Sequence, residues 1–328
     1  MDMSMKPLVI VTRKLPEAIE DQMKKLFRVE LNIDDHLFSR EELIAAIRRA
    51  DIMVPAVTDK IDADVISEAG NNFRMLANFG VGVDHIDLKA AQEKRITVTN
   101  TPGVLTEDTA DIAITLMLSI MRRTNEGERI LRAGNWKKWS PTGMLGTRLR
   151  GKKLGIIGMG RIGQAVAERA KSFGLEIHYH NRSQLDAQTE QNHNATYWQS
   201  LDQMITQMDV ISLNCPSTPD THKIMSRRRI GLMQKHAYLV NTARGDVVDE
   251  NALIEALETG AIAGAGLDVY ENEPNVDKRL IALENVVAIP HMGSATQEAR
   301  HAMGEKVLIN IKTLVDGHSP RDRVLYGF

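Results

Sequence analysis

The stretch that most constrains this chain is Leu154-Gly-Ile-Ile-Gly-Met-Gly-Arg-Ile-Gly163, in which an apolar run from Leu154 to Ile157 leads straight into Gly158-Met159-Gly160-Arg161-Ile162-Gly163. A helical pattern of Ala165, Val166, Ala167, Ala170 and Phe173 follows, so the local order is strand, tight turn, helix. Gly158 allows the turn, Gly160 lets backbone approach a pyrophosphate, and Gly163 lets helix and strand pack closely. The phosphates would rest on the unpaired N–H groups of the helix start, where the helix dipole favours negative charge. Taken alone the glycine pattern also fits flavin and methyl-donor folds; its place between strand and helix favours a dinucleotide.

The next strand candidate, Gly174-Leu-Glu-Ile-His-Tyr-His180, carries the choice of cofactor. An acidic residue near its end, about 20 residues past the turn, would hold a ribose 2′-hydroxyl. Here the strand runs into Asn181-Arg182-Ser183, which donate hydrogen bonds to a 2′-phosphate that an Asp would repel. A charge-assisted bond of this kind contributes about 1.5–3 kcal/mol. NADP is therefore expected over NAD, with NAD possible; the alternative is a solvated loop whose Arg182 points to water.

A length of 328 residues accommodates two domains of ordinary size. With 43% apolar residues, 26% charged residues and a net charge of −2, the chain reads as soluble and globular, without the basic field of a nucleic-acid binder. No apolar run reaches the roughly 18 residues that span a bilayer, and Met1-Asp-Met-Ser-Met-Lys-Pro7 carries no signal-peptide pattern. A single cysteine, Cys215, excludes an internal disulfide framework and fits a reducing, cytoplasmic setting. No H-E-x-x-H or C-x-x-C spacing occurs among the candidate ligands, so no metal site is expected.

Along the first hundred residues, strands are expected at Leu8–Val11, Val29–Leu31, Ile52–Val54, Met75–Asn78 and Ile96–Val98, with helices near Glu17–Leu26, Arg40–Arg49, Ala63–Ala69 and Leu88–Glu93. This alternation predicts a parallel sheet with helices on both faces, an α/β class fold. After the fourth strand comes Asn78-Phe-Gly-Val-Gly-Val-Asp-His85, where the N–H groups of Val81 and Gly82 form either a nest for a small carboxylate or simply a tight glycine turn. Asn100-Thr-Pro-Gly103 breaks the chain. A long apolar helix from about Glu107 to Met121, capped by Thr106, then crosses to a second domain. In Gly134-Asn-Trp-Lys-Lys-Trp-Ser-Pro141 two tryptophans are costly to expose, and another surface, a partner subunit among the candidates, would cover them. Beyond Lys152 strands are expected at Val210–Leu213, Ala237–Val240, Gly264–Val269 and Val286–Ile289, with a helix at Asn251–Glu258 and a closing helical stretch over 291–316 that returns to the first domain.

Ligands of open α/β sheets bind beyond the carboxyl ends of the strands. Three polar clusters sit there: Asn241-Thr-Ala-Arg244-Gly, Asp268 with Tyr270-Glu-Asn-Glu273-Pro, and Pro290-His291-Met-Gly293-Ser294. Reduction of a 2-keto acid needs these residue types. A guanidinium grips the carboxylate and polarises the carbonyl, an imidazolium gives the carbonyl oxygen its proton as hydride arrives at carbon, and a neighbouring carboxylate keeps the imidazole charged. Singly, Arg244 reads equally as a surface ion pair, Glu273 as one of several solvated acids and His291 as a helix-start histidine. Their convergence on one rim, opposite the glycine turn, favours the chemical reading.

With these motifs the chain resembles the D-isomer-specific 2-hydroxyacid dehydrogenases over essentially its full length, and is most similar to their glyoxylate and hydroxypyruvate reductases. The carrying stretches are Gly80–Asp84, Leu154–Gly163, Asn241–Gly245, Gly266–Pro274 and Pro290–Ser294. The resemblance places Arg244, Glu273 and His291 on the family's catalytic Arg, Glu and His. It implies that Asp268 and Gly293 hold the nicotinamide carboxamide, that Cys215-Pro216 and Thr221 flank the adenosine, that Thr109 and Thr242-Ala243 lie along the cofactor, and that Val81, Gly82 and Ser294 meet substrate. The implied fold is two doubly wound parallel-sheet domains, a Rossmann dinucleotide-binding domain over 104–294 inserted into a flavodoxin-like substrate domain formed by 1–103 and 295–328. A homodimer is implied as well, with Trp139 similar to a tryptophan that some glyoxylate reductases send into the partner's pocket. Asn181-Arg182-Ser183 looks like the NADP-using branch. The implied activity is NADPH-dependent reduction of glyoxylate to glycolate and of hydroxypyruvate to D-glycerate. The alternatives are a reductase of a larger acid such as 2-ketogluconate, or a non-catalytic nucleotide sensor of the same fold.

Overall fold

The computed structural model describes residues 6–326; the expectation about the N-terminal start falls largely on residues 1–5, and the expected closing segment includes 327–328, both outside the described residues. The chain divides into two compact units. One runs up to Leu105 and resumes at Ser294, and the other spans Thr106–Gly293.

The first unit alternates β1 (Leu8–Val11), α1 (Glu17–Leu26), β2 (Arg28–Glu30), α2 (Arg40–Arg49), β3 (Ile52–Val54), α3 (Ala63–Ser67), β4 (Met75–Ala77), α4 (Leu88–Glu93) and β5 (Thr97–Thr99). β1, β3 and β4 are buried at every position, as strands covered on both faces must be. Their helices start where side chains satisfy the orphan N–H groups: Ser39 and Glu42 form a capping box on α2, and Asp62 and Asp87 cap α3 and α4. The sheet order is β2-β1-β3-β4-β5, all parallel, the flavodoxin-like order.

The second unit opens with α5 (Thr106–Arg122) and α6 (Thr124–Arg132), then runs β6 (Lys153–Ile157), α7 (Arg161–Ser172), β7 (Glu176–His180), α8 (Ala187–His193), β8 (Ala195–Tyr197), α9 (Leu201–Ile205), β9 (Val210–Leu213), α10 (Arg227–Ile230), β10 (Tyr238–Asn241), α11 (Glu250–Glu258), β11 (Gly264–Leu267), α12 (Lys278–Ala282) and β12 (Val286–Ala288). The last helix, α13 (Gln297–Val315), belongs to the first unit and packs on α1, where Gly304 faces Ile19 so closely that a Cβ would stand 2.5 Å from Ile19 Cγ1. The sheet order β8-β7-β6-β9-β10-β11-β12 is parallel throughout and of Rossmann type, and it reverses direction between β6 and β9. Leu154 and Ile156 pack on one side with Met117 of α5 and Val166 of α7, while Ile157 joins Ile205 of α9 and Leu253 of α11 in a second cluster. Burying each such side chain contributes about 1.5–3 kcal/mol, which is why both faces are covered.

Several expected boundaries shift. The closing helix starts at Gln297, capped by Thr296 Oγ1, rather than at 291, because His291 adopts φ 47, outside the helical region. α5 takes in Thr106, expected as its cap. α6 buries no side chain, although it carries Ile130 and Leu131, and β8 is a half-exposed edge strand; neither is among the expected elements. Trp136 and Trp139 are 59% and 76% exposed, so within the described chain nothing covers them. Among the described residues no helix is long and apolar enough to cross a membrane, and no group of three or more His, Cys, Asp or Glu is placed to hold a metal ion.

Candidate active site

All seven strands of the second unit run parallel, so the loops after β6, β9, β10, β11 and β12 share one rim. After β6, Gly158 sits at φ 94 with its missing Cβ only 2.6 Å from Cys215 N. A side chain there meets both a disfavoured backbone region and the loop after β9. Gly163, in the first turn of α7, leaves a Cβ position 2.3 Å from Gly158 O, which fixes how closely helix and strand approach. Gly160, the N-cap of α7 directly before Arg161 and Ile162, is the opposite case: nothing lies within 4 Å of its Cβ position. The turn is thus tight where protein meets protein and open where it faces outward.

Asn181 is tied into this turn, its Oδ1 accepting Met159 N at 2.7 Å, whereas Arg182 and Ser183 are exposed. Burial pushes the Cys215 thiol up to about 11, so it stays protonated and is not a nucleophile near neutral pH. Thr221 Oγ1 donates to Pro216 O at 2.6 Å and closes the loop after Cys215. Thr242, 8% exposed and followed by buried Ala243, has a buried Oγ1 with no hydrogen-bond partner among the described residues, as has Asn214 Oδ1. Thr109 Oγ1 donates to Gly293 O at 3.2 Å, bringing α5 to the loop after β12.

The three charged groups come together on this rim. Asn241 shapes the loop after β10, accepting Ala243 N and donating to Arg244 O, and Arg244 Nη1 donates to Ala243 O at 2.8 Å. Glu273 Oε1 accepts Tyr270 N at 2.9 Å, and Glu273 Oε2 meets His291 Nδ1 at 2.6 Å. Burial alone would raise the Glu273 carboxyl. The His291 hydrogen bond and charge, the Tyr270 N–H and the Arg244 guanidinium outweigh it and hold the group below the usual carboxylate range. With side chains 29% and 31% exposed, the His291–Glu273 pair is reachable yet partly desolvated. Since Nδ1 faces the carboxylate, Nε2 is the nitrogen left to face a reactant.

Two residues singled out in the sequence, Asp268 and Tyr270, have a loop-holding role that the sequence reading did not assign. Asp268, 1% exposed, uses both carboxylate oxygens on the His291 loop, accepting Met292 N at 2.6 Å and Gly293 N at 2.8 Å, while Asp268 O accepts His291 N at 2.8 Å. These bonds hold His291 in its left-handed conformation, which disfavours side chains. Tyr270 OH donates to Ile289 O at 2.8 Å and links the Glu273 turn to the same loop. An acid closing an otherwise apolar strand was the available signal, because a buried carboxylate requires partners.

In the first unit the loop after β4 is held by its carbonyls: Asn78 Nδ2 donates to Gly80 O and Gly82 O, and Asn100 Nδ2 donates to Val81 O at 2.8 Å. Among the described residues no acceptor takes the N–H of Val81 or Gly82. Ser294 is half-buried at the start of the segment that leads into α13.

The family model for the D-isomer specific 2-hydroxyacid dehydrogenase, NAD binding domain, matches residues 114–293. A glyoxylate reductase of Thermococcus litoralis is 43% identical over 324 residues, 98% of this chain and 97% of that protein. Among solved structures, a glyoxylate reductase from Paecilomyes thermophila has a TM-score of 0.88 at 32% identity, covering 98% of each chain. An NADPH-dependent glyoxylate/hydroxypyruvate reductase from Sinorhizobium meliloti, in complex with NADP and malonate, has a TM-score of 0.86 at 33% identity, covering 97% of each chain. The open glycine turn, the charged rim and this likeness over nearly the whole length agree, and the chain belongs to the D-isomer-specific 2-hydroxyacid dehydrogenases, the NAD(P)-dependent oxidoreductases of that family.

Proposed function

We propose that this enzyme reduces small 2-keto acids, glyoxylate and hydroxypyruvate, with NADPH, and that His291 donates the proton. The observation that carries the reading is the His291–Glu273 pair beside Arg244 on the rim that also holds the open glycine turn.

The residues present fit a dinucleotide. The open face of Gly160 and the N–H groups at the start of α7, with Arg161 and Ile162, suit a pyrophosphate. Arg182 and Ser183, with the Asn181 amide beside them, suit a 2′-phosphate. Cys215, Pro216 and Thr221 flank the adenosine, and the unpartnered Thr242 Oγ1 with Ala243 and Thr109 lies along the chain of the cofactor. Asp268 and the Gly293 peptide hold the carboxamide; the two loop N–H groups leave the Asp268 oxygens further lone pairs for it. When bound, the dihydronicotinamide supplies the hydride.

Arg244 grips the substrate carboxylate and draws electron density from the carbonyl. His291 Nε2 gives the carbonyl oxygen its proton, and the carboxylate of Glu273 stabilises the charged imidazole before transfer. Val81 and Gly82, through their N–H groups, and Ser294, through its hydroxyl, are the further donors we assign to the substrate. The region 104–294 would act as the cofactor domain and 1–103 with 295–328 as the substrate domain. Exposed Trp136 and Trp139 favour a homodimer, with Trp139 meeting the partner subunit. One buried thiol suits a reducing, cytoplasmic setting.

The test is the initial rate of nicotinamide absorbance loss with glyoxylate and hydroxypyruvate, using NADPH and NADH at equal concentrations. Preference for NADPH supports the whole reading. Preference for NADH removes the role of Arg182, and no turnover with either acid removes the substrate assignment.

A further inference from the structure

Three loops present Arg244, Glu273 and His291, and one half-buried carboxylate outside the triad ties the first two loops together. Glu250 opens α11, just beyond the Arg244 loop, and its Oε2 accepts Glu271 N at 3.0 Å. The adjacent Asp249 acts elsewhere, capping α11 by accepting Ala252 N at 3.1 Å. Two neighbouring acids thus divide the work, one turned to its own helix and one to the loop after β11.

Glu271 lies inside the turn from Tyr270 to Glu273, where Tyr270 N binds Glu273 Oε1 at 2.9 Å. The peptide that Glu250 holds is also the one on which Gly245 rests, for a Cβ at Gly245 would stand 1.9 Å from Tyr270 C and 2.3 Å from Glu271 N. Lys223 Nζ lies 3.3 Å from Glu271 Oε1, so the turn is gripped by side chain as well as backbone. Burial pushes the Glu250 carboxyl up; the Glu271 N–H opposes that, and the charges of Glu271, Asp277 and Glu273 add to it. The hydrogen bond from Glu271 N is thus made in spite of burial and three neighbouring acids, and it offsets part of that cost.

We propose that Glu250 is a positioning residue, which by accepting the Glu271 N–H fixes the Tyr270–Glu273 turn so that the Glu273 carboxylate meets His291 in the geometry that proton delivery requires. This rests on the reading of the triad given above. Glu250 touches neither Glu273 nor His291 through a hydrogen bond; it acts through the backbone between them.

The experiment compares Glu250→Ala and Glu250→Gln with the parent in steady-state reduction of glyoxylate at saturating NADPH, with NADPH affinity measured by fluorescence titration and His291→Ala run alongside. Glu250→Ala lowers kcat about tenfold or more, as small misplacements of catalytic groups do, with NADPH affinity within about twofold of the parent. Glu250→Gln restores most of kcat, because its amide oxygen accepts the same N–H. Parental kcat in Glu250→Ala while His291→Ala is inactive overturns the Glu250 proposal alone. Equal losses in both Glu250 variants overturn it too, since the charge and not the held turn would then matter, and so does a kcat loss matched by loss of NADPH affinity. If His291→Ala keeps the parental rate, the triad reading falls and the role of Glu250 with it.

Discussion

Replacing Glu273 by Gln isolates the charge beside His291 with little change of shape. Gln retains an oxygen for Tyr270 N, which the Glu273 carboxylate accepts at 2.9 Å, so the turn keeps its local hydrogen bond. What disappears is the charge-assisted contact between Oε2 and His291 Nδ1 at 2.6 Å. Such a bond contributes about 1.5–3 kcal/mol. If that energy supports the protonated imidazole in the transition state, kcat for keto-acid reduction falls about tenfold to a hundredfold, since about 1.36 kcal/mol is a factor of ten. Both side chains are about 30% exposed, and solvent screening places the result nearer the lower figure. The assay is the pH profile of kcat from about pH 6 to about pH 9 at saturating NADPH, with NADPH affinity as control. A kcat within twofold of the parent throughout this range would refute the reasoning.

Further outcomes follow from the same geometry. Gly245→Ala places a methyl group on the Tyr270–Glu271 peptide, so it should cost about 1–3 kcal/mol of stability and lower kcat about a hundredfold; a thermal melt and a rate measurement check both, and parental values in each would contradict the close approach. Because the Glu273 carboxyl is held below its ordinary value of 4.5, it favours the folded state above that pH and ceases to do so as pH falls through its lower folded-state value; the stability gap between parent and Glu273→Gln, followed by denaturant titration, should therefore close in acid, and a gap that widened there would reverse the sign. Trp136→Ser combined with Trp139→Ser should turn a dimer into a monomer in sedimentation, whereas a parent that is itself monomeric would remove the proposed interface.

The fold was legible where the sequence has period and punctuation. β1 and β3 are short apolar runs, and β9 is one but for Ser212; all three are buried at every position and fall where their sequences place them. The glycine turn was legible because Gly158 and Gly163 answer to backbone constraints that no other residue meets. The surface helix α6 was not, its short pattern around Ile130 and Leu131 forming no buried face in the described chain, nor was the half-exposed edge strand β8. Arg244, Glu273 and His291 each follow a strand of one parallel sheet, so topology alone brought them to one rim. How they are held was only partly legible: Asp268, an acid closing an apolar strand, signals buried partners, but the backbone N–H groups that it and Glu250 hold, those of Met292, Gly293 and Glu271, leave no trace in residue type. The left-handed His291 likewise arises from the loop around it, which is why the helix expected from 291 begins only at Gln297.

The most direct test of the central claim is the single-turnover rate of glyoxylate reduction by preformed NADPH complexes of the parent and of His291→Ala. The account predicts a loss of a hundredfold or more in the variant, on the order of what a positioned proton donor contributes, with NADPH still bound. A variant that reduces glyoxylate at the parental rate would contradict His291 as the proton donor.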